Sequence, residues 1–166
     1  MQYNLAIDNV NKLYLKKMSE FDRKIITETI TRMLARREHS FNEIVQKLSQ
    51  KGIESEAFYP ILEEFKAADI QSDYRFAESR SRALASKGSG PQKVRADLLQ
   101  KGVDEIYIER AMADIDVDWF ELALQVKQKK FGEEKEHDYK KLLKQKQFLL
   151  YRGFSSDQIG YAVTGE

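Results

Sequence analysis

The two histidines are the first residues to consider as catalytic or metal-binding groups. His39 and His137 both stand in charged, loop-like stretches, which favours two surface side chains. Neither belongs to an H-E-x-x-H pair or to another spacing that gathers ligands around a metal ion. The chain has no cysteine, which excludes disulfides, thiol nucleophiles and cysteine-ligated metals. The sequence therefore predicts no catalytic residue, no bound metal and no cofactor.

A glycine-rich stretch from Lys87 to Pro91 is the second candidate for chemistry. A phosphate-binding loop needs G-x-x-x-x-G-K-[ST] after a strand, so that backbone N–H groups surround the phosphates. Here a helical pattern precedes the stretch and Pro91 has no N–H, so a helix-linking turn is favoured. Acidic residues at 114, 116 and 118 lack calcium-loop spacing and are predicted to lie at helix ends and turns. These patterns favour binding over catalysis, and we expect the protein not to be an enzyme.

Basic side chains are the remaining candidates, because they could contact phosphate or an acidic partner surface. The net charge alternates along the chain, with −3 over 40–72, +4 over 73–102, −6 over 103–125 and +5 over 126–155. The candidate partner-binding or DNA-binding residues fall in the two basic segments: Arg75, Arg82, Lys87, Lys93, Arg95, Lys101, Lys140, Lys141, Lys144 and Arg152. A solvated helix face is the alternative interpretation of these basic runs.

Helices are the elements that must position these side chains. Apolar residues follow helical spacing nearly throughout, beginning with positions 10, 13, 14, 18 and 21. There are only eight glycines and two prolines, and residues that favour helix are frequent. No segment shows sustained period-2 alternation with hairpin turns. The predicted fold class is all-α.

A repeat is the strongest internal signal. Three segments align on Gly52, Gly102 and Gly153, which are 50 and 51 residues apart. A leucine and a basic residue precede each glycine and an apolar residue follows it. This pattern predicts a helix that ends at a left-handed glycine and is followed by a new helix. With a further helix ahead of each pair, the chain is predicted to be a tandem repeat of three three-helix units. The alternative interpretation is that three similar helix–glycine–helix turns arose by chance in an ordinary helical bundle.

The predicted units stack into an elongated, curved array. Their boundaries are an N-terminal helical extension at 1–22 and three-helix units at 23–72, 73–116 and 117–166. The helix that opens each unit is predicted at 23–38, 73–86 and 119–131. Pro60 falls inside a helix that otherwise begins at Ser55, so that helix is predicted to start near Tyr59 instead.

Several short motifs carry a resemblance to a known family. They are Asp73-Tyr74-Arg75-Phe76-Ala77, Gly90-Pro91, Leu98-Leu99-Gln100-Lys101-Gly102-Val103, Asp118-Trp119, Lys130-Phe131-Gly132 and Phe148-Leu149-Leu150-Tyr151-Arg152-Gly153-Phe154. In their order and spacing, residues 30–163 resemble the RecX family, the bacterial regulators of the RecA recombinase. Arg80 departs from the family pattern, which has an apolar residue there. A buried lone arginine is costly, so we expect Arg80 to pair with a carboxylate or to extend to solvent.

The resemblance implies a non-enzymatic regulator with two partners, RecA and DNA. Family members are tandem three-helix repeats that lodge in the groove of the RecA–DNA filament. They block filament extension or promote disassembly, depress ATP hydrolysis and strand exchange, and bind DNA weakly. For this chain we expect a cytoplasmic monomer with no membrane contact, since the sequence shows no secretory pattern and no membrane span.

A stand-alone DNA-binding protein of helix-turn-helix type is the alternative function. Each basic-residue–glycine turn does join two short helices, as such motifs require. The helices after the glycines, however, carry acidic side chains such as Glu56, Glu109 and Asp157 and few basic ones. Base reading needs Arg, Asn or Gln at those positions, so the composition disfavours this alternative.

Overall fold

The chain folds into helices alone over the part that the computed structural model describes, residues 20–165. The helices are α1 (Glu20–Leu34), α2 (Phe41–Gln50), α3 (Ser55–Ala67), α4 (Asp73–Ser86), α5 (Pro91–Gln100), α6 (Glu105–Asp114), α7 (Trp119–Phe131), α8 (Tyr139–Arg152) and α9 (Ser156–Thr164). The all-α prediction is confirmed. Of the predicted N-terminal extension, 1–19 lie outside the described residues, and α1 begins at Glu20.

Three separate apolar cores underlie the tandem repeat, one for each set of three helices. We call α1–α3, α4–α6 and α7–α9 the first, second and third repeats. The first core contains Ile26, Ile30, Ile44, Leu48, Phe58, Ile61, Leu62 and Phe65. The second contains Phe76, Ala77, Val94, Leu98, Val103, Ile108 and Ala111. The third contains Ala123, Leu149, Phe154, Ile159, Ala162 and Val163. The helical repeat predicted from the sequence is therefore confirmed.

The chain divides into two compact units. The N-terminal unit ends at Asp73 and contains the first repeat, in which α1 and α2 both pack against α3. The C-terminal unit begins at Tyr74 and contains the second and third repeats. Within it α5 packs against α6, while α9 packs against both α7 and α8.

The repeated glycines end α2, α5 and α8 as the sequence predicts. Gly52, Gly102 and Gly153 have φ angles of 76°, 73° and 88°, in the left-handed region that favours glycine. The amide after each glycine donates to the carbonyl of a leucine five residues earlier, at 3.2 Å in all three turns. Those leucines, at 48, 98 and 149, are fully buried. Each turn thus satisfies a helix-terminal carbonyl and fixes the next chain direction against the core.

Helix α3 begins at Ser55 and continues through Pro60, so the predicted start near Tyr59 is wrong. Proline inside a helix costs about 3 kcal/mol, because it removes a backbone hydrogen bond and crowds the preceding turn. The same helix buries four large apolar side chains, at 58, 61, 62 and 65. Burying each contributes about 1.5–3 kcal/mol, so the sum outweighs the proline.

Helix α1 ends at Leu34, four residues before its predicted end. The amide of Arg36 donates to the carbonyl of Met33 at 3.2 Å, which tightens the chain into a turn. Ser40 then accepts a hydrogen bond from the Glu43 amide at 3.1 Å and caps α2. The turn after Leu34 and the non-helical residues before Ser40 therefore take the place of the last predicted turn of α1.

Arg80 pairs with Asp97, which confirms the expectation that it finds a carboxylate. Its Nε donates to Asp97 Oδ2 and its Nη2 to Asp97 Oδ1, both at 2.8 Å, so the pair is bidentate. These hydrogen bonds hold the pKa of the Asp97 carboxyl below its usual range. The pair joins α4 to α5 at the edge of the second core.

The helices of the described part of the chain are shorter than a membrane span requires. None between residues 20 and 165 is both long and apolar enough to cross a bilayer.

Candidate functional site

The junction between the second and third repeats is a close approach of two backbone segments. The Gly90 amide donates to the Arg152 carbonyl at 2.8 Å, and the Gln92 amide donates to the Gly153 carbonyl at 3.0 Å. The N-terminal amides of α5 thereby meet the C-terminal carbonyls of α8, two sets of groups that helices leave unpaired. A Cβ at Gly90 would lie 2.5 Å from the carbonyl carbon and oxygen of Gly153. Glycine at position 90 is therefore required by space.

A cleft of about 430 Å³ opens beside this junction, and we call it the basic cleft. Four cationic side chains line it, from three segments of the C-terminal unit: Lys87, Lys129, Lys130 and Arg152. The remaining lining residues are Ser86, Gly88, Leu122, Gln125, Val126 and Phe148, so no carboxylate contributes to its wall. A cleft with one sign of charge attracts counter-ions strongly.

Arg152 is held in place at the wall of the basic cleft. Its Nη1 donates to the Lys87 carbonyl at 3.1 Å. Its guanidinium carbon lies 5.2 Å from the ring centre of Phe148, a distance typical of a cation–π contact. Phe148 in turn meets Phe131 edge to face, with ring centres 5.4 Å apart. The guanidinium is thus oriented before any partner arrives.

A buried lysine fixes the loop beside the cleft. Lys127 is only 4% exposed, and its Nζ donates to the carbonyls of Gly132 at 3.2 Å and Glu134 at 3.3 Å. These bonds hold the start of the loop that follows α7. Lys129 and Lys130 lie in the last turn of α7, where the helix dipole also favours positive charge.

The structure brings only two of the ten predicted site residues, Lys87 and Arg152, into the basic cleft. Arg82 forms an ion pair with Glu78, and Arg95 pairs with Glu109. Lys93, Lys140, Lys141 and Lys144 are exposed, whereas Arg75 and Lys101 are half-buried. The ten residues do not form one continuous site, and their contact with a partner stays a prediction.

Sequence reasoning missed Lys129 and Lys130 as site residues. A signal was present, because both fall in the basic segment 126–155 and at the end of a helix predicted to stop at 131. What the sequence could not show is that this helix end lies beside Lys87 and Arg152. That proximity depends on the junction at Gly90 and Gly153.

The predicted roles of the histidines and acidic residues have mixed outcomes. His137 is exposed as expected, but His39 is 3% exposed, so its assignment to the surface is wrong. Asp114 ends α6, and Asp118 caps α7 by accepting from the amides of residues 120 and 121, as predicted. No group of three or more His, Asp or Glu side chains in the described part of the chain could hold a metal ion.

Comparison with known proteins identifies the family. The family model for the second three-helix domain of RecX matches residues 72–112, and that for the third matches residues 116–163. The chain is 41% identical over 139 residues to the regulatory protein RecX of Vibrio parahaemolyticus, covering 84% of this chain and 90% of the relative. The chain belongs to the RecX family. A second RecX, from Halorhodospira halophila, is 35% identical over 138 residues, covering 83% of this chain and 86% of the relative.

Two solved RecX structures share this fold. The crystal structure of RecX from Lactobacillus salivarius has a TM-score of 0.75 at 24% identity and covers 89% of this chain and 97% of its own. A crystal structure of regulatory protein RecX has a TM-score of 0.74 at 24% identity and covers 87% of this chain and 74% of its own. The RecX relatives are named regulatory proteins, and membership of the family gives this chain a regulatory role.

Proposed function

We propose that this RecX protein is a non-enzymatic inhibitor of RecA, acting on the RecA filament assembled on DNA in the cytoplasm. It blocks filament extension, and with it the ATP hydrolysis and strand exchange that the filament carries out. The observation that carries the proposal is the 41% identity to a regulatory RecX over most of both chains. Regulation of RecA is what resemblance to this family implies.

The basic cleft supports contact with the filament. Three of its four cations, Lys87, Lys129 and Lys130, are exposed, and no carboxylate in the lining neutralises them. Such a surface favours DNA phosphates or an acidic protein surface. The acidic side chains between 104 and 121 are also exposed and offer an opposite charge to basic partner surfaces. Several weak contacts of this kind would add up along a filament that repeats its subunits.

Stand-alone DNA reading by a helix-turn-helix has less support. The helices that would enter a groove are α3, α6 and α9, which carry exposed carboxylates such as Glu56 and Asp157. Glu109 on α6 is paired with Arg95 on α5, which occupies a basic side chain that could otherwise contact DNA. A sequence-specific, salt-dependent shift of a defined duplex in the absence of RecA would support this alternative.

The proposal is tested with the single-strand-dependent ATPase of RecA. We expect ATP hydrolysis to fall at sub-stoichiometric as well as equal concentrations of this protein, because blocking an end stops growth of a whole filament. Unchanged hydrolysis under both conditions contradicts the proposal.

A charge-reversed cleft locates the binding surface. We expect Lys129→Glu combined with Lys130→Glu to raise the concentration needed for half-inhibition by about tenfold, because each lysine is expected to contribute about 0.7 kcal/mol to binding. The matched control reverses Lys135 and Lys146, two exposed lysines of the third repeat that do not line the cleft. Equal weakening in both variants would show a general charge effect and would remove the basic cleft from the proposal.

A further inference from the structure

A second basic cleft lies in the N-terminal unit, within the first repeat, and the proposed function does not use it. It encloses about 420 Å³ between α1 and α2, and we call it the first-repeat cleft. Four exposed cations line it: Arg32, Arg36, Lys47 and Lys51. The other lining residues are Thr29, Met33, His39 and Gln50, so this wall also lacks a carboxylate.

The charge of the first-repeat cleft is not neutralised from within the described chain. The nearby Glu43 forms its ion pair with Arg37, which does not line the cleft, at 3.0 Å. None of Arg32, Arg36, Lys47 and Lys51 forms an ion pair with a carboxylate of residues 22–165. Like charges held around one space repel, and a bound anion relieves that repulsion.

His39 positions one of the four cations. Its Nδ1 lies 3.0 Å from the Arg37 carbonyl, which can only accept, so Nδ1 carries the proton. Its Nε2 is then an acceptor, and it lies 3.0 Å from Lys47 Nζ, which donates to it. Burial lowers the pKa of His39, which keeps the ring in the neutral form that this arrangement needs. Lys47 is therefore anchored at the cleft wall by a buried side chain.

We propose that the first-repeat cleft binds backbone phosphates of a nucleic acid through Arg32, Arg36, Lys47 and Lys51. Arginine and lysine donors around an open space of this size match the oxygens of a phosphodiester. No phenylalanine, tyrosine or tryptophan lines the cleft and four cations do, so the contacts we propose are to the backbone phosphates rather than to the bases. This site lies outside the C-terminal unit, and it is tested without RecA, so its failure is separate from that of the proposed function.

The first experiment measures binding of fluorescein-labelled oligothymidylate to the full chain by anisotropy over a series of salt concentrations. We expect Arg36→Gln combined with Lys51→Gln to weaken binding about tenfold. The slope of log affinity against log salt should flatten by about 0.7 for each phosphate that the variant no longer neutralises. The matched control, Lys24→Gln with Lys66→Gln, removes two exposed cations of the same unit that do not line the cleft.

Equal effects of the cleft variant and its control on affinity and slope overturn the proposal. A charge-preserving variant, Arg36→Lys with Lys51→Arg, should keep the salt slope. Thermal unfolding followed by circular dichroism shows whether each variant folds. A flattened slope in the charge-preserving variant, with the fold intact, would assign the effect to shape rather than charge and would overturn the proposal as well.

The second experiment uses the two histidines as reporters of location in the wild-type protein. His39 lies in the cleft and His137 in the exposed loop after α7, so their imidazole proton signals in NMR distinguish the two places. We expect the oligonucleotide to shift the His39 signals. Unchanged His39 signals at saturation overturn the proposal.

Competition with small phosphates distinguishes the source of the phosphate. We expect pyrophosphate and ATP to displace the oligonucleotide from the cleft, as followed by the His39 signals, only at much higher concentrations. Each offers fewer phosphates than the oligonucleotide, and the proposed site makes no use of the adenine base of ATP. If either shifts His39 at lower concentration than the oligonucleotide, the cleft is a site for small phosphate compounds and the nucleic-acid assignment is wrong.

Discussion

At the scale of single residues, Arg80 and His39 show what a sequence can and cannot predict. Arg80 stands on an apolar stripe, so the cost of burying its charge predicts a carboxylate partner without identifying it. Asp97 is that partner, and it lies on the next helix. His39 stands between polar neighbours, which favours exposure, yet it is buried. The tertiary structure holds this segment in place: the buried side chain of Gln71, 32 residues away, donates to the His39 carbonyl. Local patterns cannot show such a contact.

The pair of Arg80 and Asp97 gives a prediction about pH. The pKa of Asp97 is lowered in the folded protein, so the pair stabilises the fold above the pKa of an unfolded aspartate, about 3.9. That contribution disappears as the pH falls through the lower folded value. In Arg80→Gln we expect the Asp97 pKa, measured by carboxyl NMR, to rise toward the unfolded value. The free energy of unfolding at pH 7 should fall by about 0.5–1 kcal/mol, since both groups are partly exposed.

The control for this prediction is Arg82→Gln, which breaks an ion pair with Glu78 within the same helix. It should leave the Asp97 pKa unchanged. An Asp97 pKa that stays low in Arg80→Gln would mean that another group, such as Lys101, determines it.

At the scale of elements, the three glycine turns were predictable because each signal is local. A basic residue, a left-handed glycine and an apolar residue lie next to one another, and the resulting hydrogen bonds span only five residues. The end of α1 and the path of α3 through Pro60 were not predictable in the same way. Helix α1 ends in a turn several residues ahead of the Ser40 cap, and α3 continues through Pro60 because it buries four large apolar side chains.

The junction at Gly90 gives a prediction about stability. The sign of the stability change in Gly90→Ser distinguishes the effect of better helix capping from the effect of crowding against Gly153. Gly90 is the N-cap of α5 with a φ of −78°, so serine fits its backbone, and serine is the better capping residue. Capping alone therefore predicts that Gly90→Ser leaves the protein as stable or more stable. The added Cβ, however, would lie 2.5 Å from the backbone of Gly153, and we expect a destabilisation of about 1–3 kcal/mol.

Trp119 is a suitable probe for Gly90→Ser in urea denaturation. It is the only tryptophan, and although it lies on α7 it packs against the second core. Asp104→Ser is the matched control, since it exchanges two good capping residues at the exposed N-cap of α6 and should change stability by less than about 0.5 kcal/mol. A stabilised Gly90→Ser would contradict the close approach of the two repeats.

At the scale of the whole molecule, the repeat and the fold class follow from the sequence, but the clefts do not. The basic cleft joins Lys87 to Arg152, which are 65 residues apart, through a hydrogen bond that no local pattern indicates. The first-repeat cleft takes its cations from two stretches, 32–36 and 47–51, which surround one space only once α1 and α2 are placed. Sequence patterns predict where helices begin and end far better than which helix surfaces meet.

The exposed lysines at the start of α8 give a prediction about filament binding. We expect reversal of Lys140, Lys141 and Lys144 to glutamate to weaken binding to the RecA–DNA filament at physiological salt, measured by co-sedimentation. Folding should be unaffected, because all three are exposed, and at Lys140 and Lys141, in the first turn of α8, the helix dipole favours glutamate. Lysine-to-arginine changes at the same positions are the control and should keep binding. Full binding by the reversed protein would remove these lysines from the interface.

The buried ammonium of Lys127 has a practical consequence for mapping the partner surface by lysine acetylation. Reagents of this kind react with accessible amines, so Lys129 and Lys130 should be labelled readily while Lys127, two positions away, stays unmodified in the native protein. Acetylation of Lys127 would then report that the loop at 132–134 has opened, and protection of its two neighbours would report that a partner has docked. One short peptide, read in one mass spectrum, thus records both the integrity of the fold and the occupancy of its surface.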